Sequence, residues 1–306
     1  LPLADAAIVE LRQGESFSGF AERLQSSSVV EPAWLFTMFA RLSGDTNRIQ
    51  AGEYRIVPGE TPRQLLADLV AGAVAIYEVR IIEGDTIERV VQQLASTPKL
   101  KDDVGAAASV TLMAQLGRDD GNAEGWFFPD TYEYKSGTRT SEILIRANER
   151  MRTVLDREWA GRAPGLPYAT PAEALIMASI IEKETGRDED RTKISRVFVS
   201  RLQRSMRLQT DPAVIYGLGA AFDGNLTRAH LEAENPYNTY MRSGLPPTPI
   251  ALPGLASIEA ALHPDANDFL YFVARGDGSS EFSATLEEHI AAVRRYQLQN
   301  GQGVPQ

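Results

Sequence analysis

The 306-residue chain contains no cysteine. Disulfides, thiolate nucleophiles and cysteine-ligated metals are therefore excluded, and the absence suits a reducing or an oxidising compartment equally. Histidine is scarce. His230, His263 and His289 stand far apart, with no His-Glu-x-x-His or His-x-His spacing, which argues against a metal site. No Gly-x-x-x-x-Gly-Lys-Ser/Thr occurs, and no Gly-x-Gly-x-x-Gly follows a strand pattern, so neither a nucleotide nor another cofactor is expected. No apolar run approaches the length of a membrane span. Positive charge is in short supply: 31 Lys and Arg face 41 Asp and Glu, for a net charge of −10 and a pI near 5.0. That balance speaks against a nucleic acid or an anionic lipid surface as partner. The chain opens at Leu1 without a methionine, so it is expected to be a trimmed stretch from which an N-terminal signal or anchor cannot be read.

With 43% hydrophobic and 24% charged residues, the sequence is that of a globular protein long enough for two or three domains. Its N-terminal third carries a weak repeat. Ile8-Val9-Glu10-Leu11 with Gly14-Glu15-Ser16, Glu53-Tyr54-Arg55-Ile56 with Gly59-Glu60-Thr61, and Tyr77-Glu78-Val79-Arg80 with Gly84-Asp85-Thr86 each lead into an amphipathic segment, at 17–24, 62–70 and 87–94. Each copy reads as strand, glycine-acid turn, hydroxyl N-cap and helix. A short helix is expected around 106–116, followed by a turn cluster at 119–122. Next comes the densest aromatic stretch of the chain, from Glu124-Gly125-Trp126-Phe127-Phe128-Pro129 to Asp130-Thr131-Tyr132. Most of these rings suit a core. Carboxylates between aromatic faces also suit sugar rings.

An amphipathic helix is predicted over 141–162. A second apolar helix over 174–186 ends in Ile181-Glu182-Lys183-Glu184-Thr185-Gly186. Thr170, Pro171 and Glu173 form its N-terminal signal, and Gly186 fits its stop. At about 100° per residue, Glu184 lies within about 60° of Met177, Ile180 and Ile181, whereas Glu182 lies nearly opposite. A carboxyl on the apolar stripe is desolvated, its pKa rises and it can act as a general acid. The same pattern also suits two glutamates that solvate the end of a buried helix. The charge run 187–193 reads as a solvated connection and 194–202 as another helix. Leu208-Gln209-Thr210-Asp211-Pro212 precedes a helix at 213–218. Asn235-Pro236-Tyr237-Asn238-Thr239-Tyr240 and Gly244-Leu245-Pro246-Pro247-Thr248-Pro249-Ile250 are proline-stiffened loops that suit a cleft wall. A helix at 257–262, strands at 269–273 and 281–283, a helix at 285–297 and a frayed tail at 299–306 complete the reading.

The segments Ile180–Thr185, Leu208–Gly217, Pro236–Tyr240, Gly244–Ile250 and Phe269–Ala274, in that order and with Glu124–Tyr132 before them, closely resemble the YceG-like endolytic murein transglycosylases, the MltG family. The resemblance runs from about Glu124 to the last helix, with a looser LysM-like region before it. It implies cleavage of the bond between N-acetylmuramic acid and N-acetylglucosamine within peptidoglycan strands, leaving a 1,6-anhydromuramoyl end and limiting strand length. It also implies glycan strands as substrate, peptidoglycan synthases as partners, and a periplasmic body held to the bacterial inner membrane by an N-terminal span missing from this chain. Glu184-Thr185 resembles the helix-terminal Glu-Ser of other lytic transglycosylases. Glu184 is therefore the expected catalytic acid and Glu182 the second choice. Gln209, Asp211, Tyr237, Asn238, Tyr240 and Glu124 are the expected substrate-binding residues. Two departures stand out: Ser280 replaces the usual histidine of the return strand, and Leu252 replaces an asparagine.

The expected fold is α+β. A LysM-like subdomain occupies 1–75, a second βα or connecting subdomain 76–135, and a catalytic domain of helices with a short antiparallel sheet 136–306. Two other functions fit some of the same residues. A non-catalytic peptidoglycan-binding scaffold would use the repeats and the aromatic segment. A lysozyme-like hydrolytic muramidase would need a second carboxylate, Asp211 or Glu124, across the cleft.

Overall fold

Every described strand of the computed structural model is short and has one partner, so helices carry most of the packing. The structure describes residues 1, 3, 5–105, 113 and 122–298. The expected helix at 106–116, most of the turn at 119–122 and the tail at 299–306 lie outside the described residues. The described elements run β1 (Ala7–Leu11), α1 (Phe17–Ser26), α2 (Ala33–Leu42), β2 (Gly52–Ile56), α3 (Pro62–Ala71), β3 (Ile76–Arg80), α4 (Ile87–Ser96) and β4 (Thr131–Lys135). They continue with α5 (Thr140–Ala160), α6 (Pro171–Glu184), α7 (Asp188–Gln203), α8 (Asp211–Leu218), α9 (Arg228–Glu232), α10 (Leu255–Leu262), β5 (Tyr271–Ala274), β6 (Ser280–Ser283) and α11 (Leu286–Val293). The described strands form three two-stranded sheets, β1–β2, β3–β4 and β5–β6. No helix among the described residues is long and apolar enough to cross a membrane.

The chain divides into two compact units. The first combines Leu1–Val79 with Thr97–Asp102 and Tyr132–Arg139, and the second holds the remainder. The chain passes between them repeatedly, because β3 is completed by the distant β4. The repeat takes the expected form, its first two copies within the first unit and the helix of the third in the second. β1, β2 and β3 lead through Gly14, Gly59 and Gly84, at φ +79°, +85° and +77°, into α1, α3 and α4. Those values lie in the left-handed region that glycine enters without a Cβ penalty. Ser16 accepts the Gly19 N–H at the start of α1, and Thr61 and Gln64 close a capping box on α3. β1 and β2 are antiparallel, with Ala7 opposite Ile56 and Leu11 opposite Gly52. Phe20, Leu24, Phe36, Tyr54, Ile56, Leu65 and Leu69 fill the core beneath them.

One buried charge ties the first unit's distant segments together. Glu53 on β2 accepts hydrogen bonds from Lys99 Nζ at 2.6 Å, Tyr77 OH at 2.5 Å and Ser136 Oγ at 3.1 Å. Burial pushes its carboxyl up, but those bonds and the Lys99 charge outweigh burial and hold it below the usual glutamate value.

The second unit is built on α6, which packs most heavily against α10 and also against α5, α7 and α8. Thr170 caps α6 by accepting the Glu173 N–H, and Pro171 begins it. Two expectations are corrected at and beyond its end. The helix stops because Thr185 turns extended, at φ −150° and ψ 141°, and Gly186 plays no left-handed part. The charge run 187–193 is no solvated connection but the opening of α7. Asp188, Glu189 and Asp190 occupy the helix's positive end. Asp190 and Arg191 are buried, and Asp190 accepts the Ser280 N–H at 3.1 Å. β5 and β6 pair antiparallel as expected, with Phe272 opposite Phe282.

Replacing Glu53 by alanine is expected to cost about 1–2 kcal/mol, a modest figure because Lys99 is partly solvated. A carboxyl whose folded pKa is depressed stabilises above its unfolded pKa and loses that contribution as pH falls through the folded value. Urea unfolding at about pH 7 should therefore separate parent from variant, and at about pH 3 the two should converge.

Candidate active site

α6 is buried on every side from Ala174 to Ile181. The helical stripe that singled out Glu184 is therefore not what distinguishes the two glutamates. Their partners do. Glu182 turns to the loop before α10, where its Oε2 accepts the Gly254 N–H at 3.1 Å. Glu83 is close enough to the Glu182 charge that burial and this repulsion push Glu83 up. Glu184 faces the start of α8, and its Oε1 accepts the Thr210 hydroxyl at 2.5 Å.

The loop before α8 is built to aim that hydroxyl. Thr210 is the N-cap residue of α8, yet its side chain does not cap the helix. Its N–H donates to Thr239 Oγ1 at 3.0 Å, and its carbonyl accepts from the same hydroxyl at 3.3 Å. Gln209 sits at φ +52°, a left-handed value for a residue with a side chain, and its N–H donates to Thr239 O at 3.2 Å. Such strain collects where a site is held in place by its surroundings. Asn238 supports the Thr239 loop from behind. It is fully buried, donates to the carbonyls of His230, Leu231 and Ala233, and accepts the Tyr240 N–H.

Around Glu184 lies a cavity of about 380 Å³. Arg201, Gln209, Asp211, Tyr240, Phe272 and His289 help to line it. Asp211 Oδ1 accepts the Tyr240 hydroxyl at 2.6 Å. Arg201 crosses from α7, with Nε donating to Leu270 O at 2.8 Å and Nη1 to Leu208 O at 2.7 Å. These neighbours set the proton affinity of Glu184. Burial raises it most, the Thr210 hydrogen bond lowers it, the Asp211 charge raises it and Arg201 lowers it, leaving the carboxyl at about 7. A group poised there can give up and regain a proton near neutral pH.

Of the six expected substrate-binding residues, Gln209, Asp211 and Tyr240 share the cavity with Glu184. The other three are placed elsewhere. Asn238 builds the loop. Tyr237 packs its ring edge-on against Tyr216 at 5.0 Å and hydrogen-bonds the Thr248 hydroxyl at 2.8 Å. Glu124 lines a second cavity of about 590 Å³ with Thr86, Asn122, Ile215 and Tyr216. There it accepts the Ile87 N–H at 3.1 Å and the Tyr216 hydroxyl at 3.2 Å, and burial raises it to about 7. Next to it Gly125, at φ +82°, has no room for a Cβ, which would collide with Pro249.

Sequence reasoning missed Thr210, Arg201 and His289. Arg201 continues the inner face of α7 at helical spacing from Ile194, Val197 and Phe198, so the charge on an apolar stripe was a usable signal. His289, on α11, carried no such mark. Ser280, at the position of the missing return-strand histidine, donates its N–H to Asp190 and does not itself line the cavity, although it pairs across the sheet with Ala274, which does. Leu252 is fully buried and bonds through its backbone to Gly84 and Asp85.

A sequence profile described as the YceG-like family matches residues 9–295. A protein of Bacillus subtilis (strain 168) named endolytic murein transglycosylase is 31% identical over 305 residues, covering 94% of this chain and 84% of its own. A protein of the same name from Streptococcus pneumoniae is 28% identical over 323 residues, covering 92% of this chain and 56% of its own. A crystal structure of a yceG-like protein from Listeria monocytogenes superposes with a TM-score of 0.60 at 32% identity, over 94% of this chain and 98% of that one.

The raised Glu184 pKa has a stability consequence. Because the folded value of about 7 exceeds the ordinary 4.5, the folded state holds the proton more tightly and loses stability as pH rises between the two. Glu184→Gln should therefore unfold later than the parent at about pH 8, by up to about 3 kcal/mol, and match it near pH 4. Thermal unfolding across that range reads the difference.

Proposed function

The chain belongs to the YceG-like family, and from that membership together with the Glu184 cavity we infer that it is a lytic transglycosylase of murein. It cuts the β-1,4 bond between N-acetylmuramic acid and N-acetylglucosamine within a glycan strand and leaves a 1,6-anhydromuramoyl end. The observation that supports this most directly is the single desolvated carboxyl of Glu184, at about 7, in a cavity that also presents an amide, a carboxylate and a phenol.

One carboxyl serves twice. Protonated Glu184 donates to the glycosidic oxygen as the bond to C1 breaks through an oxocarbenium-like state. The resulting carboxylate then takes the proton from the C6 hydroxyl of the same muramoyl sugar. The C6 oxygen closes on C1, and Glu184 is protonated again for the next cycle. No water is consumed. Arg201 and the Thr210 hydroxyl stabilise the carboxylate during its brief life, since both favour the charged form. Asp211 opposes it and so keeps the carboxyl protonated up to a higher pH, while its own position is held by Tyr240. Gln209, Asp211 and Tyr240 contact the sugars at the bond that is cut. Glu124, with Tyr216, serves the strand from the second cavity, and Tyr237 and Asn238 contribute by fixing the loops. The strand–turn–helix repeats of the first unit, which resemble LysM, hold the glycan. The body works in the periplasm, held at the inner membrane by a preceding span and meeting nascent strands near their synthases.

Asp211 beside Glu184 also supports the hydrolytic alternative, since a muramidase needs a second carboxylate. Mass spectrometry of digested glycan strands decides between them. Anhydro ends are expected from the unmodified protein, reducing ends would mean hydrolysis, and neither would mean a binding scaffold. Glu184→Gln should lower release of anhydro ends by about a hundredfold or more with the fold intact, and Glu182→Gln should leave most of it.

The pH profile follows from the acid's role. Activity needs protonated Glu184, so kcat/KM should fall as pH rises through about 7. Thr210→Val removes a bond that favours the charged form, so this limb should move to higher pH. A limb that stays put would detach Glu184 from the proton transfer.

A further inference from the structure

One helix of the first unit is apolar on both sides, and the described residues cover only one of them. α2 reads Ala33-Trp34-Leu35-Phe36-Thr37-Met38-Phe39-Ala40-Arg41-Leu42. Ala33, Phe36 and Ala40 turn inward and join the core of the unit. The opposite face carries Trp34, Leu35, Met38, Phe39 and Leu42, all exposed, with Trp34 at 66% and Leu42 at 79%. Their spacing puts the five side chains on one stripe, about 12 Å long from Trp34 to Leu42. A helix that is apolar all round is normally buried all round, and a contiguous exposed patch of this kind marks an interaction surface. Beside the stripe lies an apolar groove of about 380 Å³, where Val30, Pro32, Leu35 and Phe39 meet Pro62 at the start of α3.

The rim of this face points to a lipid surface. By the same helical spacing Arg41 falls at the edge of the stripe, and Arg63 borders the groove. Arg23 and Arg48 elsewhere in the unit are paired with Glu15 and Asp45, whereas neither Arg41 nor Arg63 has an ion pair among the described residues. An apolar stripe with a tryptophan at one end and unpaired guanidinium groups beside it suits a helix lying in a bilayer interface. The aliphatic and phenyl side chains enter the acyl boundary, the indole sits at headgroup level, and the arginines reach the phosphates. A second copy on the same face would set two arginines from each chain against one acid from each, Glu31. The path of the chain agrees with lipid. The Leu1 nitrogen donates to the Glu60 carbonyl at 2.6 Å, and Leu1 and Leu3 pack on the core of the unit. Glu60 directly precedes Thr61, Pro62 and Arg63 of the groove, so a span entering at Leu1 meets the edge of the apolar face.

We propose that the exposed face of α2, with the groove beside it, docks the first unit on a phospholipid bilayer. Trp34, Leu35, Met38, Phe39 and Leu42 insert at the boundary of headgroups and acyl chains, and Arg41 and Arg63 bind lipid phosphates. The inference rests on the membrane-held reading above and adds to it: a span only tethers, whereas this face lays the first unit against the bilayer in one orientation. The −10 charge of the whole chain opposes an anionic surface, so apolar insertion supplies the attraction and the arginines fix the depth.

The chain of residues 1–306 is floated on a density gradient with vesicles of phosphatidylethanolamine and phosphatidylglycerol. No helix among its described residues can span a bilayer, so flotation reads surface binding. The parent should float. Trp34→Glu and Leu42→Glu alter exposed positions, should leave thermal unfolding unchanged, and should each lower partitioning by about tenfold or more. Arg41→Gln should lower it by about fivefold. Vesicles with brominated acyl chains should quench part of the parent's tryptophan emission, and that quenched part should vanish in Trp34→Phe, which still floats. A parent that stays unbound, or flotation that survives Trp34→Glu and Leu42→Glu, overturns the proposal. So does a dimer in vesicle-free solution that Leu42→Glu dissociates, since a second copy then holds the face. Release of anhydro ends from soluble glycan strands is measured on the same proteins and should match between parent and Leu42→Glu. Anhydro ends without flotation overturn the docking surface and leave the cleavage reading standing, and flotation that depends on α2 without anhydro ends supports the surface while the cleavage reading falls.

Discussion

Removing the Glu184 carboxyl from water is the constraint on which the rest of the catalytic unit depends. α6 delivers it one turn beyond a helical stretch buried from Ala174 to Ile181, and the α8 loop and Arg201 close on it there. Alone, such a carboxyl would simply stay protonated. Thr210 and Arg201 pull it back, and Asp211 pushes it up again. A general acid that must become a base within one turnover needs this near-balance. Deeper burial would make it a reluctant proton donor in the first step, and freer solvation would leave it without a proton to give.

The neighbouring segments serve that balance. Thr210 can reach Glu184 because Thr239 binds both its N–H and its carbonyl, and Thr239 is held there by a loop that the Asn238 amide gathers. Gln209 accepts a left-handed backbone as part of the same turn. α8 then carries the consequences onward. Asp211 at its start belongs to the Glu184 cavity, and Tyr216, just over one turn later, belongs to the cavity of Glu124. Two desolvated carboxyls, each at about 7, thus border one short helix. Relatives of this YceG-like chain are named murein transglycosylases, and under the function proposed for it a polymer strand calls for more than one place to hold it.

Much of this was legible in the chain. The N-terminal repeat showed because strand alternation, a glycine turn and a hydroxyl cap are local signals, and β1, β2 and β3 with their helices follow it. The limits were equally physical. Asp190 and Arg191 look like surface charge until the β6 backbone supplies a partner for Asp190. Asn238 and Tyr237 have the side chains of ligand-binding residues, and their hydrogen bonds go to neighbouring loops instead. Gly186 looked like a helix stop, and Thr185 had already ended the helix by turning extended.

The sequence by itself determined the elements, the absence of cysteine chemistry, and the pairing of Glu184 with a Gln209-Thr210-Asp211 loop as parts of one resemblance. These depend on residue type and short spacing. Only the tertiary structure decided which glutamate is desolvated and by what, since α6 is apolar all round and its own stripe could not tell them apart. It also decided that Arg201 and His289, 88 positions apart, meet over Tyr271 in the same cavity. Proton affinity and hydrogen-bond completion are set by neighbours distant in the chain, and no local pattern records them.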